Sequence, residues 1–153
     1  MKRVASARIT SGNISNIEVE MERKFVLGMI VCFTCLSGAA HAAADCSKKN
    51  SDSEVYICAL DNRVAAEKAL NREYAAAKKR IRGVFANEAQ VKKEYQAVFL
   101  AAQRNWLNYR ENHCKLVAHV AEKNSNPYKV FTNECVTKLN EERVKELKRI
   151  PYD

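Results

Sequence analysis

The sequence predicts an all-α protein: an antiparallel hairpin of two long helices plus a third C-terminal helix, braced by two disulfides. Three observations carry this. From Asp45 onward the chain holds one glycine, Gly83, and two prolines, Pro127 and Pro151, so little interrupts a helix. Apolar residues recur there at steps of three and four, with no alternating strand pattern. The same segment carries four cysteines, Cys46, Cys58, Cys114 and Cys135.

The first helix is expected to start at "SDSE". Ser51 can cap it while Glu54 bonds back, the reciprocal arrangement of a capping box. Val55, Cys58, Val64, Glu67, Leu70, Tyr74, Ala77 and Ile81 then form a stripe, broken only between Cys58 and Val64. Gly83 suits the left-handed residue that ends a helix. The second helix is expected from near Asn87 to about Glu122, where "KNSNP" breaks it. Its stripe is Val91, Tyr95, Val98, Ala102, Trp106, Tyr109, Leu116 and Val120. The third starts near Asn126 with Pro127 at its first position, carries Phe131, Cys135, Leu139, Arg143 and Leu147, and stops at "RIPYD". Each stripe is narrow and must be buried against another helix. A connection of about four residues makes the first two helices antiparallel neighbours.

Residues 21–42 read as a signal peptide. Arg23 and Lys24 form a basic start, Phe25 to Leu36 an apolar run, and Ala40-His41-Ala42 and Ala42-Ala43-Ala44 are small-x-small sites. The apolar run is shorter than the ~20 residues a membrane span requires. Cleavage is expected after Ala42 or Ala44, and residues 1–20 read as an over-called start or an extended leading region. The expected product begins near Ala43 or Asp45 and is periplasmic or secreted, with no membrane span.

Cys32 and Cys35 would leave with the leader. Four cysteines in a small exported domain read as two disulfides. The favoured pairs are Cys46–Cys58 and Cys114–Cys135, which close short segments. The rival pairing is Cys58–Cys114 with Cys46–Cys135, across the hairpin. No Cys-x-x-Cys remains, and His119 is off the helical face of Cys114, so no metal site is expected.

Catalytic chemistry is not expected either. None of Ser47, Ser51, Ser53 and Ser125 sits in a nucleophile elbow. A single glycine cannot build a phosphate-binding loop, and the disulfides would consume the thiols. Glu141 and Glu142 read as a solvated helix face. The chain therefore reads as a non-enzyme without a cofactor, and without the aromatic and basic interleaving of a nucleic-acid binder.

From Asp45 onward there are 21 Lys and Arg against 15 Asp and Glu, a net +6 that favours acidic partners. Lys78, Lys79, Arg80 and Arg82 end the first helix, and Lys92 and Lys93 open the second. The hairpin brings all six towards one tip, partly offset by Glu88 and Glu94. These six are the candidate binding residues.

The most distinctive stretch is "AAQRNWLNYRENHC", residues 101–114, with the only tryptophan. On one helix it reads as a packing seam. Trp106 fills the core, Tyr109 keeps its hydroxyl at the edge, and Arg110 lies over the indole or pairs with a carboxylate. Cys114 ties the seam to another element, and His113 is a packed or rim residue.

This stretch resembles the A-Q-R-x-W-x-x-Y-R-x-x-x-C signature of the LprI-type lysozyme-inhibitor N-terminal domain family. "DCSKKNSDSEVYIC" resembles its leading cysteine pair, and "AEKALNREYAAA" its first long helix with a Leu-Asn-x-x-Tyr core. "NECVTKLNEERVKEL" resembles its last helix, with the fourth cysteine. The resemblance spans residues 45–149 and implies a small exported helical domain whose motif core is Leu70, Asn71, Tyr74, Gln103, Trp106, Tyr109 and Arg110. It implies an envelope protein that inhibits a lysozyme or other muramidase. One departure stands out: Leu36-Ser37-Gly38 is followed by Ala39, where a lipid-anchored member has cysteine. The alternative is a structural or stress module that binds anionic envelope glycan or lipid through the basic tip.

Overall fold

The computed structural model describes residues 43–152. The expected leader over 21–42, and residues 1–20 before it, lie outside them. A 3₁₀ turn, Cys46–Lys48, leads into three helices: α1 Asp52–Val84, α2 Ala89–Ala118 and α3 Asn126–Leu147. No strand occurs among the described residues.

The N-terminal segment folds back on the start of α1. The Asn62 side chain holds Ala44 twice, accepting from its N–H at 2.9 Å and donating to its carbonyl at 2.8 Å. The Cys46–Cys58 disulfide fastens the same turn. Asp45 accepts from the Ser47 hydroxyl at 2.6 Å and the Ser47 N–H at 3.1 Å. These bonds favour the ionised form and hold its carboxyl below the ordinary range.

Ser51 caps α1 as expected, accepting from the Glu54 N–H at 3.3 Å. The return bond is shifted by one residue, since Glu54 accepts from the N–H of Asn50 at 3.1 Å. Gly83 is not left-handed. The helix continues through it to Val84, and Phe85, whose ring meets Tyr95 at 5.2 Å, closes the end by bonding back to Ile81. α2 begins behind Glu88 rather than Asn87, without a side-chain cap. It stops at Ala118, before the expected Glu122, and Asn124 turns the chain at φ 70°, a conformation asparagine tolerates. α3 starts at Asn126 as expected, and Ser125 caps it by accepting from the Tyr128 N–H at 3.2 Å, so Pro127 is one position further in than expected.

The α1–α2 hairpin is closed only near its tip, where Tyr74 stacks on Phe99 at 5.0 Å and Phe85 meets Tyr95. Away from the tip α3 packs against both helices and is the central element. The main core joins Leu70, Ala77 and Ile81 of α1, Phe99 of α2, and Leu147 and Ile150, with Trp106 and Val144 packed against it. Burying side chains such as Leu70 and Ile81 stabilises the fold by about 1.5–3 kcal/mol each. A smaller cluster, Cys46, Cys58 and Ala59, lies under Val55 and Val130.

Two expected stripes are displaced. On α3 the buried residues are Asn133, Val136, Thr137, Asn140 and Leu147, while Phe131 is exposed. On α2, Val91, Val98, Tyr109, Leu116 and Val120 are exposed, and the helix buries Phe99, Gln103, Arg110, Cys114 and Ala118 instead. The Cys114–Cys135 disulfide and the polar seam described next turn this mixed face towards α3.

Candidate functional site

Arginine–amide pairs hold α3 in place. Arg63 of α1 donates to Asn133 at 3.3 Å, Arg110 of α2 to Asn140 at 2.7 Å, and Arg143 of α3 back to Gln103 of α2 at 3.2 Å. Both guanidiniums of this seam stack near Trp106, Arg110 and Arg143 each 5.5 Å from the ring centre. Such stacking adds about 0.5–2 kcal/mol per pair, depending on desolvation. Arg110 also pairs with Glu111, and Arg143 with Glu146 at 2.6 Å. These residues join α2 to α3, and the polar half of the seam includes Asn140 and Arg143, which lie on α3, far along the chain.

The motif core divides. Leu70, Gln103 and Arg110 are buried, and Tyr74 and Trp106 are half-buried. Asn71 and Tyr109 are at the surface. Tyr109 stacks on His113 at 5.3 Å, beside a groove of about 460 Å³ between α2 and α3 lined by His113, Val117, Phe131 and Leu139 among others.

The hairpin tip is basic, with one change in composition. Arg80 is engaged: it donates to the carbonyls of Leu147 at 2.6 Å and Ile150 at 2.8 Å. Glu73 lies 2.9 Å from its other nitrogen, an ion pair outside the geometry of a directed hydrogen bond. Arg80 therefore satisfies the end of α3 rather than facing a partner. Lys92 reaches the Ala86 carbonyl at 3.3 Å, and Lys78 lies 5.7 Å over the Tyr74 ring. Lys79, Arg82 and Lys93 are exposed without a salt bridge among the described residues.

Docking Leu147 and Ile150 on Arg80 brings the exposed pair Lys148 and Arg149 to the same end. Reading the chain missed these two. The only local signal was a basic dipeptide at a helix end, and its position depends on contacts some seventy residues apart, as in Arg80 to Ile150.

No cluster of metal-binding side chains occurs among the described residues, and no helix there is long and apolar enough to cross a membrane. Together, the two disulfides and the three-helix core define a small, disulfide-braced helical domain of an oxidising compartment. Residues 43–147 match the family described as Lysozyme inhibitor LprI, and the chain belongs to that family. It is 27% identical over 127 residues to the uncharacterized protein R02472 of Rhizobium meliloti (strain 1021), covering 81% of this chain and 91% of that one. Its fold is similar to the crystal structure of a DUF1311 family protein from Pseudomonas putida KT2440. That match has a TM-score of 0.59 at 25% identity and covers 71% of this chain and 99% of the other.

Proposed function

We propose that this chain is an exported, non-enzymatic binding protein of the bacterial envelope that inhibits a glycan-cleaving muramidase by covering its cleft. In this reading residues 21–42 are a cleaved leader, residues 1–20 precede it, and the helical domain of residues 45–149 is the working part. Membership of a family described as a lysozyme inhibitor supplies the target class. The observation that carries the mechanism is the concentration of exposed cations, Lys79, Arg82, Lys93, Lys148 and Arg149, at one braced end of the bundle.

A glycosidase of this kind works with two carboxylates in its cleft. A rigid basic end can place cations against them with little ordering cost. Arg80 supports that role without joining it, because it anchors the end of α3 under the exposed cations. Animal lysozymes are themselves basic, and a product with the net +6 counted from Asp45 onward is repelled by them at long range. A less basic, bacterial muramidase is the better target.

The same exposed cations support a second reading, a module that binds anionic envelope glycan or lipid. Salt separates the two. Binding to an anionic surface falls steeply as salt rises, while a packed protein interface persists.

The test is peptidoglycan clearing by a panel of muramidases, with wild type and a variant carrying Lys79→Ala, Arg82→Ala, Lys93→Ala and Arg149→Ala. Inhibition by wild type and its loss in the variant are expected. A wild type that inhibits none of the enzymes at large excess ends the inhibitor reading. Full inhibition by the variant moves the interface to the groove beside Tyr109 and His113.

A further inference from the structure

Helix α2 has two faces that differ in kind. The buried one is mixed, with Phe99, Gln103, Arg110, Cys114 and Ala118 against the rest of the fold. Roughly a quarter-turn or more away runs a second, uncovered line: Val91, Val98, Ala102, Tyr109, Leu116 and, just past the helix end, Val120. The steps are seven, four, seven, seven and four residues, and steps of this kind return to one side of a helix. Val98 is 70% exposed, Tyr109 53%, Leu116 72% and Val120 80%. Single exposed apolar residues are ordinary, but a line the length of a 30-residue helix, ~45 Å, marks a surface that meets something.

Four members of the line map onto one another about its centre, while Val98 and Leu116 map onto His113 and Tyr95, half-buried residues beside it. Val91 stands as far before the midpoint between Asn105 and Trp106 as Val120 stands after it. Ala102 and Tyr109 are likewise equidistant from that point, and so are Tyr95 and Leu116, and Val98 and His113. We propose that α2 pairs antiparallel with α2 of a second copy of this chain, about a two-fold axis passing between Asn105 and Trp106. This is the isologous contact that a self-complementary stripe permits. Val91 then meets Val120, and the small Ala102 faces the large Tyr109, so the two surfaces interlock instead of clashing at the centre.

The charges beside the stripe agree. On the flank turned away from α3, the middle of the helix carries the neutral side chains Asn105, Asn108 and Asn112. No like charges on that flank therefore meet at the axis. Further out, Glu94 of one copy comes opposite Lys115 and His119 of the other. A parallel pair would instead set Tyr109 against Tyr109 and leave Glu94 without Lys115 or His119 opposite it. The contact lies along the length of α2, separate from the cations of the tip, and does not depend on the inhibitor reading.

The test is sedimentation of the full chain, expressed with its own N-terminus and purified oxidised as the cell delivers it, from about 1 µM to about 1 mM, where weak dimers are seen. Wild type is expected to pass from one copy to two as concentration rises. Val98→Glu and Leu116→Glu should stay single with unchanged helix content. Val120→Lys, beyond the last helical residue Ala118, should weaken pairing without touching the helix at all. Nitroxides on Asn105→Cys and, separately, on Gln90→Cys report the direction: close together at 105 and ~45 Å apart at 90. A wild type that stays single throughout overturns the proposal. So does pairing unchanged in all three charged variants, or a short separation at both labels.

Discussion

The Arg110–Asn140 pair offers the sharpest test of how this bundle is held. Arg110 is 7% exposed and Asn140 fully buried, and the guanidinium donates to the amide oxygen at 2.7 Å. The amide nitrogen of Asn140 has no partner among the described residues. Arg110→Met keeps the aliphatic stem against Trp106 and removes the donor, so Asn140 loses its one strong bond and stays buried with both polar atoms unpaired. The loss of a charge-assisted bond and the orphaned acceptor together cost about 2–3 kcal/mol. Asn140→Leu removes the orphan instead, and Arg110 keeps Glu111, whose carboxylate is partly hydrated, so the cost is about 1 kcal/mol. In the double variant no unpaired amide and no unpaired guanidinium remain. Its cost should fall below the sum of the singles by about 1–2 kcal/mol. Urea unfolding of the oxidised protein measures all three, with an unchanged slope as the sign that only stability has moved. Additive singles, agreeing to within about 0.5 kcal/mol, or an Arg110→Met variant as stable as wild type, would refute the reasoning.

Three further outcomes are expected. Intact mass of an exported product beginning near Ala43 or Asp45 should show four hydrogens lost and no free thiol; replacing Cys114 and Cys135 by serine, which opens a 21-residue separation, should cost about 3 kcal/mol in thermal or urea unfolding. Trp106→Ala should cost about 2–3 kcal/mol, less than the ~3–5 of a fully buried aromatic, because the ring is half-buried beside two arginines; thermal melting checks it. Arg80→Ala should raise amide exchange across 147–152 and lower stability by about 1–3 kcal/mol, while leaving intact any binding made by the exposed cations.

Much of the fold follows from local chemistry in the chain. The scarcity of glycine and proline, the Ser51–Glu54 cap and the three- and four-residue apolar steps determined three helices and their approximate limits. Short closing segments pointed to Cys46–Cys58 and Cys114–Cys135, and both bonds are formed. The clustering of Lys79, Arg82 and Lys93 at a hairpin tip was also readable, because a short connection leaves two helix ends no other place. Local preference was less reliable at the ends themselves. Gly83 was free to turn left-handed, but the packing of Phe85 on Tyr95 carried the helix past it.

What only the tertiary structure decided is which way α2 faces. Hydrophobicity alone favours burying Val98, Tyr109 and Leu116, and the folded chain leaves all three in the open. A buried arginine or glutamine is costly until its partner is in place. Asn140 and Arg143, the partners of Arg110 and Gln103, lie thirty and forty residues further along and reach them only once α3 has docked. Those bonds and the Cys114–Cys135 bridge set the rotation of α2. The pairing of polar groups across a fold is a property of three dimensions, and a one-dimensional pattern of apolar residues does not contain it.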